Sequence, residues 1–404
     1  MNVLMLSQFY PPIVGGQERH VRSLAVGLVA RGHRVDVLTI APVGEEPASH
    51  IDDGVHVHRV RSSAQRLPFL YSDPLRPHAM PITDPGLSSA IGRMLARTRY
   101  DVLHAHDWTV SSALRPASRR ATPVVFTLHD YSHICAVKRL VRRQSLCSGP
   151  GLARCAACSC EHYGAIVGAP IAAANAVMRM VREREVAAFI AVSNAVARSN
   201  RLESSGARFE VIPNFVPDDL VDFSAPPAPD GPILFVGDLI ADKGVHVLLD
   251  AYELMTRRPP LHLLGRPEGF DRRLPDGVTL LAPRPHEEVM TTMRAAQTVV
   301  VPSLVADSCP TVVIESMALG RPTIAAASGG IVDMVRDGSN GLLVPPGDVK
   351  ALAAAISRVT SDPQLASELG RRAREEVGPF TASEVLGRIC EVYEQLVHPA
   401  KASV

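Results

Sequence analysis

Residues 306–330, ADSCPTVVIESMALGRPTIAAASGG, decide the fold. The apolar run Thr298–Val301 leads into them and predicts a buried strand. A loop follows, and Val312–Leu319 predicts a helix that Gly320 ends in the left-handed conformation. The apolar run Thr323–Ala327 predicts the next buried strand. This order of strand, loop, helix and strand is one unit of a parallel α/β sheet.

Two carboxylates in this unit are candidates for ligand binding. Asp307 lies in the predicted loop at the carboxyl end of its strand, where open α/β sheets bind ligands. Glu315 lies in the first turns of the helix, whose N-terminus presents free backbone N–H groups and a partial positive charge. The alternative is that both residues only cap the helix and balance its dipole. On spacing alone, this structural role is the more common one.

The wider sequence resembles the donor-binding segment of the family 4 glycosyltransferases. The match is an acidic residue, seven further residues and Glu315, followed by SMALGRPTIA and SGGI. The resemblance implies that Glu315 holds the ribose hydroxyls of a nucleotide and that the first carboxylate lies beside the donor sugar. That first residue is Glu in the family and Asp307 here, so its reach is one methylene shorter. Further donor-binding candidates between the two carboxylates are Ser308, Pro310 and Thr311.

Two segments nearer the N-terminus resemble the same family. Gly15 and Gly16 follow a predicted first strand, and bare glycine backbone can approach a phosphate closely. The resemblance implies that this glycine pair closes over the donor diphosphate. Thr127–Asp130 matches the family pattern Thr-x-His-Asp/Asn, in which the histidine reaches the donor sugar. The candidate catalytic residues are therefore His129, Asp307 and Glu315.

The family's diphosphate clamp departs from its usual pattern here. The family has Gly-Arg-Leu-x-x-Glu-Lys-Gly, whose Arg and Lys stabilise the charge of the departing phosphate. This chain has GDLIADKG at residues 237–244, so Lys243 matches and Asp238 reverses the charge of the Arg. Arg266 follows the next predicted strand, Leu261–Leu264, at the same edge of the sheet. Our hypothesis is that Arg266 supplies the missing positive charge, and the alternative is a plain surface arginine.

The resemblance extends over nearly the whole chain. It implies an α/β protein of the GT-B fold, with two facing Rossmann-like, doubly wound domains and a cleft between them. It also implies a retaining glycosyltransferase of the hexosyltransferase type that needs no cofactor for catalysis. Such an enzyme moves a sugar from a nucleotide-diphosphate donor, here a UDP- or GDP-sugar, to a hydroxyl acceptor such as a sugar, a lipid-linked sugar or a small molecule.

The same resemblance suggests the domain boundaries. We assign residues 1–217 to an acceptor-binding domain with a Cys-rich insert at 131–163, and 218–380 to a nucleotide-sugar-binding domain. Residues 381–404 are expected to form a helix that crosses back to the first domain.

Composition and charge fit a globular enzyme of 404 residues, with 46% hydrophobic and 21% charged residues. Aromatic residues make up only 4%, so we expect no base-stacking surface and no nucleic-acid partner. Residues 1–212 hold 25 Lys/Arg against 16 Asp/Glu, a net charge of +9, and residues 213–404 hold 17 against 25, a net charge of −8. Either the two halves are simply complementary, or the basic half meets an anionic acceptor or a membrane surface.

The sequence also bears on location. The N-terminus, MNVLMLSQ, lacks the basic region and the long apolar run of a signal peptide. The most apolar segment, Gly164–Met178, is too short to span a membrane and predicts a buried helix. We expect a cytoplasmic protein, with peripheral contact at the inner face of the membrane as the alternative.

Five of the seven cysteines lie within the insert at 131–163. Cys155 and Cys158 have the chelate spacing of a zinc knuckle, and Cys147 with either Cys135 or Cys160 would complete four ligands. The alternative to a structural zinc is a set of free thiols in a loop-rich insert, because disulfides are uncommon in the cytosol.

Two other functions stay open on the sequence alone. One is a nucleotide-sugar epimerase or hydrolase of the same fold, which would release free nucleotide diphosphate without an added acceptor. The other is a non-catalytic nucleotide-sugar-binding protein, which the unusual Asp238 and Asp307 would allow. Binding of a nucleotide without turnover on any acceptor would favour the latter.

Overall fold

A computed structural model describes residues 1–13, 15–67, 71, 78–142, 145–221, 225–267 and 269–398. The chain divides into two compact units, one formed by Met1–Ile212 with Leu386–Val404 and the other by Pro213–Val385.

The first unit alternates strands with helices over most of its length. Its elements are β1 (Asn2–Ser7), α1 (Gly16–Ala30), β2 (Arg34–Ile40), β3 (Ser49–Asp52), β4 (Val55–Val60), α2 (Pro85–Arg97), β5 (Val102–Ala105), α3 (Val110–Ser118), β6 (Val124–Leu128), β7 (Val141–Arg142), β8 (Ser145–Leu146), α4 (Leu152–Tyr163), α5 (Ala165–Glu185), β9 (Ala188–Ala191), α6 (Asn194–Ser199), α7 (Leu202–Ser205) and β10 (Phe209–Val211).

Eight of these strands, as far as the described residues go, form one sheet in the order β10-β9-β6-β5-β1-β2-β4-β3. All neighbours are parallel except the edge strand β3, which is antiparallel to β4. Strands β4-β2-β1-β5-β6-β9 have the Rossmann order 3-2-1-4-5-6, so the chain changes direction between β1 and β5. The interior strands are almost wholly buried, which explains their continuous apolar sequences.

The second unit repeats this plan. Its elements are β11 (Ile233–Val236), α8 (Val245–Leu254), β12 (Leu261–Leu264), β13 (Val278–Leu281), α9 (His286–Arg294), β14 (Thr298–Val301), α10 (Thr311–Ala318), β15 (Thr323–Ala326), β16 (Gly341–Val344), α11 (Val349–Ser361) and α12 (Pro363–Glu375). Over the described residues its sheet has six parallel strands in the order β13-β12-β11-β14-β15-β16, which is again the order 3-2-1-4-5-6. The change of direction lies between β11 and β14.

The strand–loop–helix–strand prediction for the opening stretch is confirmed by β14, α10 and β15. Gly320 follows α10 with φ +63°, the left-handed conformation expected of a helix stop. The last helix, α13 (Ala382–Val397), is also found where the sequence predicts it. Its residues from Leu386 onward belong to the first unit, where Arg388 Nη2 donates to the carbonyl oxygen of Val211 at 2.7 Å.

Two predictions for the middle of the first unit hold only in part. The Cys-rich insert is rich in loops before Leu152, but its last part is α4, which contains Cys155, Cys158 and Cys160. The apolar segment Gly164–Met178 is helical as predicted, but it lies in α5, a helix of 21 residues that is only partly buried. Among the described residues, α5 alone is long and apolar enough to cross a membrane by length and composition, and only 33% of its apolar window is buried. A single helix of this kind is weak grounds for a membrane span.

Candidate active site

The centre of the second unit's site is an ion pair at the point where its sheet changes direction. Lys243 follows β11, and its Nζ donates to Asp307 Oδ1, which follows β14, at 2.6 Å. Ser303 Oγ donates to the other oxygen of the same carboxylate. The Asp307 side chain is only 11% exposed. Open α/β sheets bind ligands at this position, outside the carboxyl ends of the strands at the switch point.

Two glycines make this arrangement possible. Gly244 has φ +71°, and a Cβ there would overlap the carbonyl oxygen of Pro302, so the turn after β11 lies directly against the turn after β14. Gly329 has φ +55°, and a Cβ there would overlap the carbonyl oxygen of Asp307. The next residue, Gly330, donates its N–H to that oxygen at 2.7 Å. Gly329 and Gly330 therefore lie against the Asp307 carbonyl, and Gly244 lies against Pro302 at the start of the same loop.

A second ion pair lies at the same edge of the sheet. Arg266 follows β12, and its Nε and Nη2 donate to the two carboxylate oxygens of Asp238 at 2.7 and 2.6 Å. Both side chains are about two-fifths exposed. The structure therefore places Arg266 where the sequence predicts it. Its guanidinium is paired with Asp238, the residue that stands in place of the family's clamp arginine. Its role in diphosphate binding stays a prediction.

Glu315 forms the third pairing of the second unit. Its carboxylate is buried in the second turn of α10, and Oε1 lies 2.8 Å from Nε2 of His286. His286 is the first residue of α9, and its side chain is 34% exposed. The sequence analysis did not identify His286 as a site residue.

The start of α10 holds the remaining candidates of the second unit. Pro310 is its N-cap and Thr311 its first residue, and no side chain of the described residues caps this end at Pro310. Ser308 and Thr311 are half-buried in the approach to the helix. Asn214 Nδ2 donates to the carbonyl oxygen of Cys309 at 2.8 Å and anchors the loop. This N-terminus is suited to an anion or to hydroxyl groups.

The first unit has its own site at the carboxyl ends of β1 and β5. Gly15 is the N-cap of α1, and a Cβ there would overlap the carboxylate of Glu18 in the first turn. Gly16 has open space around it. Gln17 Nε2 donates to the carbonyl oxygen of His106 at 3.1 Å, which ties the start of α1 to the end of β5. The glycine pair therefore lies at this sheet's switch point.

Three histidines of this unit meet at the strand ends. His129, after β6, is half-buried, and its Nε2 lies 3.0 Å from Nδ1 of the buried His106, after β5. The ring of His20, on α1, lies edge-on to His129 with centroids 4.9 Å apart. His106 Nε2 is buried and has no hydrogen-bond partner among the described residues. His129 is thus held by two histidines that the sequence analysis did not select.

A fourth histidine, His104, has a structural role. It is fully buried, with Nδ1 2.6 Å from the hydroxyl of Tyr393 and Nε2 2.7 Å from Thr127 Oγ1. Burial lowers the pKa of His104 to about 3 and that of His20 to about 4, and it lowers the pKa of His106 and His129 well below the ordinary value. The four rings are therefore neutral at physiological pH, and His129 can accept or donate a hydrogen bond without carrying charge.

The predicted zinc site finds no support in the structure. The seven cysteines are free, and no group of three or more Cys, His, Asp or Glu in the described part of the chain could hold a metal ion. Cys155 and Cys158 are one helical turn apart on α4 rather than in a knuckle. Cys155 Sγ accepts the N–H of Gly151 at 3.3 Å, and Cys147 Sγ donates to the carbonyl oxygen of Gly149 at 3.6 Å.

Parallel topology could have revealed the residues that the sequence analysis missed. His106 ends the strand next to that of His129, and the carboxyl ends of neighbouring parallel strands meet at one edge. His286 follows β13 and begins α9, so it too lies beyond the carboxyl end of a parallel strand. Ser303 is four residues before Asp307 and carries no distinguishing pattern, so only the fold identifies it.

Comparison with protein families gives matches over both units. The model described as Glycosyltransferase Family 4 matches residues 14–220, which is more than half of the chain. The model described as Glycosyl transferases group 1 matches residues 231–362.

Individual proteins match over nearly the full length. Glycogen synthase of Mycobacterium tuberculosis is 27% identical, and the match covers 97% of this chain and 94% of that protein. Sucrose-phosphate synthase of Thermosynechococcus elongatus has a similar structure, with a TM-score of 0.75 at 22% identity, over 99% of this chain and 100% of that one. HepE of Anabaena in complex with UDP-glucose gives a TM-score of 0.69 at 19% identity, over 98% and 100%.

Proposed function

The chain belongs to the family 4 glycosyltransferases, an enzyme family with the GT-B fold, and we propose that it transfers a hexose from a nucleoside-diphosphate sugar to a hydroxyl acceptor with retention at the anomeric carbon. The donor is a UDP- or GDP-sugar. Among these donors, UDP-glucose has the most direct support, because a protein of similar fold was crystallised with it.

One observation supports this proposal most strongly: the Lys243–Asp307 pair at the switch point of the second unit. An ammonium group at the carboxyl edge is suited to the diphosphate of a donor, as is the start of α10, which no side chain of the described residues caps at Pro310. Lys243 would bind the leaving diphosphate and stabilise the negative charge that develops on it as the glycosidic bond breaks. Arg266 would release one Asp238 oxygen and add a second positive charge.

Glu315 would bind the ribose. We assign the ribose hydroxyls to this carboxylate, whose Oε1 lies 2.8 Å from Nε2 of His286. This carboxylate is buried and held by a neighbour, which fixes its orientation before the donor arrives. Ser308, Pro310 and Thr311 would surround the phosphates at the start of α10.

Two residues would act near the reacting sugar. Asp307 would orient Lys243 and accept a hydrogen bond from a sugar hydroxyl, and His129 would bind the sugar from the first unit through its neutral ring. Gly15 and Gly16 would allow the start of α1 to approach the diphosphate. No step in this scheme needs a metal ion, since cationic side chains supply the charge on the leaving group.

The acceptor is a sugar, a lipid-linked sugar or a small molecule with a free hydroxyl, and we place the reaction in the cytoplasm. If the acceptor is lipid-linked, the net charge of +9 on residues 1–212 would favour peripheral contact with the inner face of the membrane.

The test has two stages. A thermal-shift screen of UDP-, GDP- and ADP-sugars should identify a donor that raises the midpoint of unfolding, because ligand binding to the native state stabilises it. Acceptors are then screened with that donor, and the anomeric configuration of the product is read by NMR. An α-linked product from an α-linked donor supports the proposal. A β-linked product, or donor hydrolysis that no acceptor diverts, contradicts it.

A further inference from the structure

The first unit contains a cluster of arginines that the proposed reaction does not use. A cavity of about 490 Å³ between α2 and the end of α3 is lined by Arg115, Arg119 and Arg120 together with Ser88 and Ser89. A neighbouring cavity of about 510 Å³ shares Arg120 and adds Arg97 and Arg99. We call these two cavities the arginine groove.

The arginine groove lies away from the candidate active site of its unit. Helix α2 leads into the amino end of β5, and α3 leads into the amino end of β6. His106 and His129 follow the carboxyl ends of the same two strands. Because β5 and β6 are parallel, the groove and the histidines occupy opposite edges of one sheet.

The charge in the groove is uncompensated. Within the described part of the chain, none of the five guanidinium groups forms a hydrogen bond or an ion pair. Arg115 and Arg119 are four residues apart at the end of α3, where like charges repel each other. The lining residues include one carboxylate, Asp101, whose Oδ2 accepts the backbone N–H of Asn2 at 2.7 Å.

Helix dipoles account for only part of this pattern. A cation in the last turn of a helix is favourable, and this explains Arg97 on α2 and Arg115 on α3. Arg99, Arg119 and Arg120 lie beyond the helix ends. All five arginines are solvent-exposed, so their guanidinium groups are available to an anion from solution.

We propose that the arginine groove binds a phosphate monoester, carried by a small soluble molecule or by a lipid headgroup. The planar guanidinium matches phosphate oxygens with two parallel hydrogen bonds, and Arg115, Arg119 and Arg120 line one cavity of about 490 Å³. The Ser88 and Ser89 hydroxyls offer further hydrogen bonds to the oxygens or to the attached group. The site is separate from the donor site and would give the enzyme a second anionic ligand.

The test compares two charge-matched triple variants of the full chain. Arg115→Gln/Arg119→Gln/Arg120→Gln removes one side of the groove. Arg257→Gln/Arg273→Gln/Arg358→Gln removes three exposed arginines of the second unit and serves as the control. Glucose 6-phosphate binding is measured by isothermal titration with UDP present in saturating amount, and binding to phosphatidylcholine vesicles with and without phosphatidate is measured by co-sedimentation.

The groove variant should bind glucose 6-phosphate, or vesicles with phosphatidate, at least about tenfold more weakly than the parent does. Each lost charge-assisted hydrogen bond costs roughly that factor. The control variant should bind as the parent does. Dependence on the groove in the titration identifies a soluble ligand, and dependence in the vesicle arm alone identifies a lipid headgroup. Equal binding by both variants, or binding in neither arm, would overturn the proposal. The single variant Arg119→Gln provides the same comparison if the triple variant does not fold.

Discussion

At the residue scale, three basic side chains of the second unit's site lie against carboxylates. Lys243 pairs with Asp307, Arg266 pairs with Asp238, and His286 contacts Glu315. A diphosphate that binds here must compete with the first two carboxylates for their cations. The pairs therefore orient the donor-binding side chains and lower their intrinsic affinity for phosphate at the same time.

This competition predicts opposite effects for the two members of the Asp238–Arg266 pair. Asp238→Asn should tighten binding of UDP, because Arg266 is released from a bidentate partner and a negative charge is removed. Arg266→Ala should weaken UDP binding by roughly tenfold or more, the cost of a charge-assisted hydrogen bond. Isothermal titration of both variants decides the matter. Unchanged affinity in both would show that Arg266 is a surface residue and not part of the clamp.

The Asp307 carboxylate gives a second prediction at this scale. Asp307→Asn keeps a side-chain acceptor for Ser303 but no longer holds Lys243 by charge. We expect kcat to fall more than KM rises, because the variant loses orientation and a contact to the reacting sugar, while UDP binding does not weaken. Steady-state kinetics beside titration measures both. A large loss of UDP affinity with normal kcat would move Asp307 from the sugar to the nucleotide.

At the element scale, the second unit's site depends on turns that touch each other. The turn after β15 approaches the loop after β14 so closely that Gly329 leaves no room for a Cβ beside Asp307. The sequence could predict the strands, the loop and the helix of this unit, because their apolar runs and the Gly320 stop are local signals. It could not predict the contact between the two turns, which depends on the course of each turn in space and leaves no local signal in the sequence.

Gly329→Ala tests this contact against a matched control. Gly329 and Gly338 both have positive φ, +55° and +69°, so alanine costs about 1–2 kcal/mol of backbone strain at either position. A Cβ at Gly338 meets nothing within 4 Å, whereas one at Gly329 meets the Asp307 backbone. Gly329→Ala should therefore lower both stability and kcat, and Gly338→Ala stability alone. Equal kinetics in the two variants would show that the Asp307 position does not depend on this contact.

The Cys-rich insert shows a second limit of prediction from sequence. The spacing of Cys155 and Cys158 suits a zinc knuckle and one turn of helix equally well. The surrounding residues form α4, which packs against α5, and the two thiols are one turn apart on it. Spacing by itself could not distinguish these outcomes, because it reports separation along the chain and not backbone conformation.

At the scale of the whole molecule, the buried histidines make stability depend on pH. The pKa of His104 is lowered to about 3 and that of His20 to about 4, against an ordinary value near 6.5 in the unfolded chain. Below pH 6.5 the unfolded chain therefore binds protons that the folded protein does not. The free energy of unfolding should be unaffected by these groups above that pH and should fall between pH 6.5 and 4, by roughly 2–3 kcal/mol per histidine at pH 4.5.

Denaturant unfolding at a series of pH values from 7 to 4.5 measures this dependence. His104→Gln can keep hydrogen bonds to Tyr393 and Thr127. In this variant the free energy of unfolding should depend less steeply on pH, because about one proton fewer is taken up on unfolding. If the variant and the parent had the same slope, His104 would not be a source of the pH dependence.

The overall architecture could be predicted further than the details of the site. Two parallel α/β units and the family follow from motifs that recur at strand ends, such as GDLIADKG and the stretch at 306–330. The partners of the site residues, among them Ser303, His286 and His106, depend on which strands are neighbours. The strand order decides which strands are neighbours, and no local sequence pattern reports it.

The central claim is that Lys243, at the switch point of the second unit, recognises the diphosphate of the donor. The most direct measurement is the ratio of the affinities for UDP and UMP, determined by isothermal titration for the parent enzyme and for Lys243→Ala. The parent should prefer UDP, and the variant should lose roughly 10- to 150-fold in UDP affinity with little change for UMP, the cost of one or more charge-assisted hydrogen bonds. An unchanged preference for UDP in Lys243→Ala, or equal affinities for UDP and UMP in the parent, would contradict the account.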